Sequence, residues 1–205
     1  MKRLLSFLLI GFLILLAART AFSQEYTDFR HPLFTIQVPA SWHNIPKQRL
    51  NALIAEEAKR QGLSGKGKPQ LPVFECGFQE IPLSDGLSPP MITVKIDENR
   101  RLARIILKHL NTMTQDQIAF TYSEALQKLG QELAGIPGMK AEDIVLDRTK
   151  KLLRFTVRLN NVVTLTSIYT HKDRVYYIIC NTFDDPDSGK DLRVFRKVSD
   201  SFTLN

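Results

Sequence analysis

Residues 152–183 read LLRFTVRLNNVVTLTSIYTHKDRVYYIICNTF, and their hydrophobic pattern has a period of two. In the first eight residues, alternate side chains from Leu153 to Leu159 are apolar, whereas Arg154, Thr156 and Arg158 are expected to point away. The links Asn160-Asn161 and His171-Lys172-Asp173 are so short that they force antiparallel neighbours. We therefore predict three antiparallel strands here, at 152–159, 162–170 and 174–183, preceded by a fourth at 143–148.

The chain before this segment combines shorter strands with amphipathic stretches of helical period. Thr114 and Gln117 have the spacing of a capping box, which predicts the start of a long helix. Strands are predicted at 33–38, 72–79 and 91–97, and helices at 47–61, 98–110, 114–134 and 189–201. Because helices and strands are segregated, we predict an α+β fold: an antiparallel sheet of about six to seven strands packed between helices.

Side-chain directions follow from these two periods. In the strand at 72–79, Phe74, Cys76 and Phe78 are expected to point to the core, and Glu75 and Gln79 away from it. The buried stripe of the helix at 114–134 is expected to hold Ile118, Tyr122, Ala125, Leu129 and Leu133. In the closing helix it is expected to hold Leu192, Phe195 and Val198.

The N-terminus is typical of an export segment. Lys2 and Arg3 precede an almost purely apolar run from Leu4 to Ala18, which suits a signal peptide and is short for a spanning helix. Small residues at positions 21 and 23 predict cleavage before Gln24, which the intact mass of the exported protein would check. An uncleaved membrane anchor is the alternative. We therefore expect a signal peptide or anchor at 1–23 and a single domain at 24–205, exported to the periplasm or secreted.

The net charge of +7 overstates how basic the domain is. Three of the positive charges belong to the export segment, at Lys2, Arg3 and Arg19, which leaves +4 for residues 24–205. Nucleic acid is therefore not an expected partner, and membrane contact is expected only through an uncleaved N-terminal segment. The basic cluster Arg100, Arg101, Arg104 and Lys108 is either a solvated helix face or a contact for an anionic partner.

Two cysteines, Cys76 and Cys180, lie in apolar runs that are predicted to be strands. In an oxidising compartment an even number of cysteines permits a disulfide. Two buried free thiols fit the same surroundings. Both alternatives are open at the level of the sequence.

No catalytic motif is complete in this sequence. The segment from Gly62 to Lys68 has the glycine and lysine spacing of a phosphate-binding loop. However, Pro69 stands where Ser or Thr must reach magnesium, and a helix rather than a strand precedes it. The four histidines lack metal-ligand spacing, and no nucleophile elbow is present. No catalytic residue and no cofactor is predicted.

An acidic turn at 184–191 is the best candidate for a metal site. Asp184, Asp185 and Asp187 could converge on a hard cation such as calcium. The glycine is one place early for a calcium loop, and Arg196 stands where its bidentate Glu belongs. Capping of the closing helix by Asp187 or Ser188 is the favoured interpretation, and it predicts that Asp187→Ala costs about 1 kcal/mol.

Both ends of the predicted domain resemble one protein family. Residues 29–42 read FRHPLFTIQVPASW, an aromatic residue, a strand, Pro, a small turn and Trp. Residues 174–180 (RVYYIIC) and 195–202 (FRKVSDSF) resemble the last strand and the closing segment of PsbP-like proteins, the extrinsic photosystem II subunits and their bacterial relatives. The resemblance covers roughly Tyr26 to Leu204 and extends in shape to the Ran-binding Mog-type fold. The segment from Lys47 to Gln70 and the helix near Leu102 depart from it.

The resemblance implies an antiparallel sheet between helices and a non-enzymatic role, docking to a larger assembly or stabilising it. It implies an unknown protein partner and no assignment to a photosystem. Some members of the family bind manganese or calcium, although no ligand residue can be matched here. Trp42, which follows Pro39 at a strand end, is expected to be structural because a large ring there can close the edge of a core.

Overall fold

A computed structural model describes residues 24–60, 62, 70–82, 86–134, 141–159 and 161–205, without the side chains of residues 129–134. The predicted export segment at 1–23 and most of residues 61–69 lie outside the described residues. No helix among those described has the length and apolar character that a membrane crossing requires.

Four helices and ten strands make up the described chain. The helices are α1 (Lys47–Arg60), α2 (Arg100–Thr112), α3 (Gln115–Ala134) and α4 (Ser188–Asp200). The strands are β1 (Tyr26–His31), β2 (Phe34–Pro39), β3 (His43–Pro46), β4 (Cys76–Gln79), β5 (Met91–Asp97), β6 (Ala141–Asp147), β7 (Leu152–Leu159), β8 (Val162–His171), β9 (Arg174–Phe183) and β10 (Thr203–Leu204).

The main sheet has seven antiparallel strands in the order β3-β4-β5-β9-β8-β7-β6. Residues 152–183 form three neighbouring strands of this sheet, β7, β8 and β9. Leu152 of β7 pairs with Tyr169 of β8, and Val162 of β8 pairs with Phe183 of β9. The predicted α+β class and strand number are confirmed.

A second sheet of three strands, β1-β2-β10, was not predicted. β1 pairs along its whole length with β2, and the two residues of β10 pair with Phe34 and Thr35. β1 is largely polar and β10 is very short, so neither has a hydrophobic period of its own. They are strands because β2 offers them a hydrogen-bonding edge.

Helices or strands cover both faces of the main sheet. On one face α4 and the small sheet bury a core that includes Phe34, Trp42 and Phe195. On the opposite face α2 and α3 pack on β7, β8 and β9. α1 covers the edge of that face, where Leu50 Cδ2 would lie 3.1 Å from a Cβ atom at Gly77. A side chain at position 77 would therefore require the Leu50 side chain to shift by a few tenths of an ångström.

Two side chains that point away from the apolar side of their strands, as predicted, are nevertheless buried. Gln79 is 0% exposed and Thr156 is 1% exposed, because both faces of the main sheet are covered. Gln79 Nε2 donates to the carbonyl oxygens of Ile81 (2.7 Å) and Gly86 (3.0 Å). Gln79 Oε1 and Thr156 Oγ1 have no hydrogen-bond partner among the described residues.

The start of α3 is the predicted capping box. The Gln117 N–H donates to Thr114 Oγ1 at 3.2 Å, and the Thr114 N–H donates to Gln117 Oε1 at 2.9 Å. Ile118 is buried as expected, but Ala125 is exposed and Leu126 takes its place against the sheet. Tyr122 also packs against this core as expected, and the side chains of Leu129 and Leu133 lie outside the described residues.

Candidate functional site

The acidic turn between β9 and α4 does not bring its carboxylates together. Asp184 forms an ion pair with Arg158 of β7, and the Thr182 hydroxyl donates to the Asp191 carboxylate. The Asp185 carboxylate turns instead to the N–H of Asp187, at 2.9 Å. No group of three potential metal-ligating side chains occurs in the described part of the chain.

The predicted helix cap is also wrong in its details. Asp187 occupies the N-cap position of α4, but its backbone is already helical and its side chain accepts no capping hydrogen bond. The carboxylate that orders this turn is that of Asp185, which closes an Asx turn on the N–H of Asp187.

We expect Asp185→Ala to lower the free energy of unfolding by about 1 kcal/mol, because it removes this hydrogen bond. Asp187→Ala is the matched control, with an expected change within about 0.5 kcal/mol. Chemical denaturation of both variants checks the prediction. A larger loss in Asp187→Ala than in Asp185→Ala would contradict the structure.

The two thiols cannot form a disulfide with each other. Cys76 pairs with Val94 of β5, and Cys180 pairs with Ile92 on the other side of the same strand. Because β5 lies between them, the two Cα atoms are about 10 Å apart or more, beyond the roughly 7 Å limit for a disulfide. Both cysteines are free and buried.

Burial also keeps these thiols protonated. Desolvation, helped by the nearby charge of Glu75, raises the pKa of Cys76 to about 12. Desolvation raises the pKa of Cys180 further still. Because the thiolate is the reactive form, neither cysteine is suited to be a nucleophile at neutral pH.

Iodoacetamide at pH 8 is therefore expected to leave Cys76 and Cys180 unmodified in the folded protein and to alkylate both after unfolding in guanidinium. Peptide mass spectrometry measures the modification. Lys108→Cys, on an exposed helix face, is the positive control and should be modified in the folded state. Rapid native labelling of Cys180 would be inconsistent with its burial.

His31, Glu75 and Lys47 form a cluster that no sequence motif indicated. His31 Nε2 lies 3.8 Å from Glu75 Oε2, and Lys47 Nζ lies 2.8 Å from the same oxygen. His31 Nδ1 accepts the N–H of Leu33 at 3.3 Å, so its proton lies on the nitrogen that faces Glu75. Desolvation, opposed by Glu75, lowers the pKa of His31. Both nitrogens of the His31 ring face protein groups. The cluster therefore links β1 to the start of α1 and to Glu75, the residue before β4.

A polar recess of about 370 Å³ lies at the end of the sheet where β8 turns into β9. Its lining includes Glu98, His171, Lys172 and Arg174. Arg174 Nε lies 3.0 Å from Glu98 Oε1, so two of these charges already compensate each other. Desolvation and then the charges of Lys172 and Lys151 lower the pKa of His171. The recess therefore presents a neutral imidazole and lysine ammonium groups.

The basic cluster predicted near residue 100 lies on the outer side of α2. Arg100 forms an ion pair with Asp173 at 2.9 Å. Arg101, Arg104 and Lys108 have no ion-pair partner within the described residues, and they surround Ile105, whose side chain is 42% exposed. Phe120, on the neighbouring helix α3, is 67% exposed.

The phosphate-loop-like segment from Gly62 to Lys68 lies, apart from Gly62, outside the described residues. Of the other features, the sequence located the basic cluster and the acidic turn but gave no signal for the His31 cluster or for the polar recess. Their members come from strands and turns far apart along the chain, and only the sheet pairing brings them together.

No family model and no curated protein matches the chain. Among solved structures, it is similar to cyanobacterial PsbP (CyanoP) from Synechocystis sp. PCC 6803, with 12% identity and a TM-score of 0.50 over 89% of this chain and 94% of that one. LpqN, involved in cell envelope biogenesis of Mycobacterium tuberculosis, has 14% identity and a TM-score of 0.41 over 88% and 91%. The likeness to CyanoP extends over nearly the whole of both chains, and it shows that this chain has the PsbP-like fold that its terminal motifs predicted.

Proposed function

We propose that this chain is an exported, non-enzymatic accessory module that docks to a larger envelope assembly or stabilises it. One observation carries the proposal: the core is filled on both faces of the sheet, whereas Phe120 and Ile105 are exposed on the outer surface of the helix layer. Exposed apolar side chains rimmed by charges are typical of protein-binding surfaces. A catalytic or carrier protein would need its polar groups to converge in a pocket.

Two further observations support the same role. Both cysteine thiols are buried and held neutral, so neither is suited to covalent catalysis. The PsbP-like fold agrees with a non-enzymatic role, and the apolar N-terminal segment agrees with a location outside the cytoplasm.

A small-ligand carrier is the second candidate. The recess beside His171 favours it, because Lys172 would attract a small anion there. A divalent-cation carrier is not favoured, because the carboxylates of the acidic turn point to different protein partners.

Affinity purification of the full chain from its native envelope tests the proposal. We expect a distinct second protein to co-purify in fixed proportion and to be displaced by excess untagged chain. The purified protein is also to be assayed for turnover of generic ester and phosphate substrates, where no activity is expected. Recovery of this chain alone, together with turnover, would overturn the docking role.

A further inference from the structure

Helices α2 and α3 lie side by side and form one outer face of the domain. Both pack their apolar sides on the same face of the main sheet. The His109 ring of α2 contacts the Tyr122 ring of α3 with centroids 6.3 Å apart, and only two residues link the helices. The sides of α2 and α3 that are turned from the sheet therefore form a continuous surface, which we call the helix-pair face.

The α2 half of the helix-pair face is basic with an apolar centre. Arg101, Ile105 and Lys108 follow one another at intervals of four and three residues, which puts them on one stripe of the helix. Arg104 flanks this stripe. All four residues are exposed, and the buried residues Ala103, Ile106 and Leu110 occupy the opposite side.

The α3 half has the same pattern with the opposite charge. Asp116, Phe120 and Glu124 follow at intervals of four residues, and all three are exposed. Ile118 holds the other side of the helix against the sheet. Neither Asp116 nor Glu124 has an ion-pair partner among the residues that the structure describes. Each helix thus carries one large apolar side chain between two charges, basic on α2 and acidic on α3.

We propose that the helix-pair face is the contact between two copies of this chain, with α2 of one copy against α3 of the other. A two-fold dimer buries the same patch of both copies, so the patch must be complementary to itself. In the proposed dimer, Ile105 of each copy packs against Phe120 of the other. Arg101 and Lys108 face Asp116 and Glu124 of the other copy, so that basic and acidic side chains meet at both contacts. Ile105 and Phe120 also carry the docking role, so a second copy and a different protein compete for the same surface.

The distribution of charge favours a second copy over an anionic membrane. A bilayer rich in anionic lipid attracts Arg101, Arg104 and Lys108 but repels the carboxylates of Asp116 and Glu124. On such a bilayer, Phe120 would lie between the two repelled carboxylates. Only an occupant that is acidic opposite α2 and basic opposite α3 compensates both helices, and this chain supplies that arrangement itself.

Charge-swap variants of the full chain, purified in its mature form in mild detergent, test the proposal by light scattering after size exclusion. The all-acidic variant carries Arg101→Glu with Lys108→Glu, and the all-basic variant carries Asp116→Lys with Glu124→Lys. Alone, each variant places like charges opposite one another. We expect the dissociation constant of each to rise about tenfold or more, because every substitution acts twice in a symmetric dimer.

Mixing the two variants is the decisive measurement. An all-acidic copy and an all-basic copy are complementary at both contacts, so we expect the mixture to regain the dimer as a heterodimer. A variant with all four substitutions should also recover its own dimer. The proposal is overturned if the unmodified chain is monomeric at all concentrations. Equal dimerisation of all variants and their mixture would overturn it too. So would an unmodified chain that stays monomeric but binds vesicles of anionic phosphatidylglycerol, with tighter binding by the all-basic variant and loss of binding by the all-acidic one.

A cross-linking experiment tests the pairing of the helices. Ile105→Cys and Phe120→Cys are prepared as separate variants and treated with a short bismaleimide. The reagent does not react with Cys76 or Cys180, because both are buried. The mixture of the two variants should give a covalent dimer in severalfold higher yield than either variant alone. Equal yields from all three samples would exclude the contact between α2 and α3.

Discussion

Trp42→Ala is expected to lower the free energy of unfolding by about 3–5 kcal/mol, which is the usual cost of removing a buried large aromatic ring. Trp42 is 8% exposed and lies in the core between the small sheet and α4. Its ring meets that of Phe195 edge to face, with centroids 6.2 Å apart. Guanidinium denaturation followed by far-UV circular dichroism measures the loss, since the variant lacks the protein's single tryptophan.

Trp42→Phe is the matched control. The indole N–H of Trp42 has no hydrogen-bond partner in the described part of the chain, so phenylalanine keeps most of the packing and sacrifices no polar contact. We expect a loss below about 1.5 kcal/mol, as for other changes of similar volume in a core. If Trp42→Ala costs less than about 1 kcal/mol, the ring does not close the core.

Tyr169→Phe has the next largest expected effect, a loss of about 1.5 kcal/mol, because it removes a buried hydrogen bond. The Tyr169 hydroxyl donates to the Ser199 carbonyl oxygen at 2.6 Å. The Ser199 hydroxyl in turn donates to Ser167 Oγ at 2.7 Å. These groups fix the end of α4 to β8 in the interior, where water cannot replace the lost hydrogen bond.

The pH dependence of stability supplies a second measurement for Tyr169. Burial raises the pKa of Tyr169 to about 12 from the ordinary value of 10.0. An unfolded chain therefore ionises first, so the stabilisation is complete below pH 10 and is lost as the pH rises towards 12. The free energy of unfolding of Tyr169→Phe should fall less steeply over this interval than that of the unmodified protein.

Tyr177→Phe separates the hydrogen bond from ionisation. Burial also raises the pKa of Tyr177 to about 12, but its hydroxyl has no hydrogen bond within the described residues. We expect this variant to flatten the alkaline dependence as Tyr169→Phe does, while losing less stability at pH 7. Equal losses at pH 7 would show that the contact between Tyr169 and Ser199 contributes little.

Local patterns were sufficient to predict the centre of the fold. The hydrophobic pattern has a period of two in β7, β8 and β9, and the links between these strands are short. The predicted strands are therefore also neighbours in the sheet. A helical stripe of apolar residues likewise predicts α2 and α4. The carboxylates of the acidic turn face separate partners for a reason that lies outside the sequence of the turn. Arg158, which pairs with Asp184, comes from β7, and Thr182 holds Asp191 aside.

Residues close together along the chain were enough to predict the α+β class, the antiparallel centre of the sheet and the PsbP-like pattern. Contacts between distant residues follow from packing instead: β10 pairs with β2, Gln79 and Thr156 are buried, and β5 separates Cys76 from Cys180. The same packing places a basic stripe on α2 and an acidic stripe on α3 on one side of the sheet. Packing alone sets such distances between remote residues, since periodicity shows which side of an element is buried but not what lies against it.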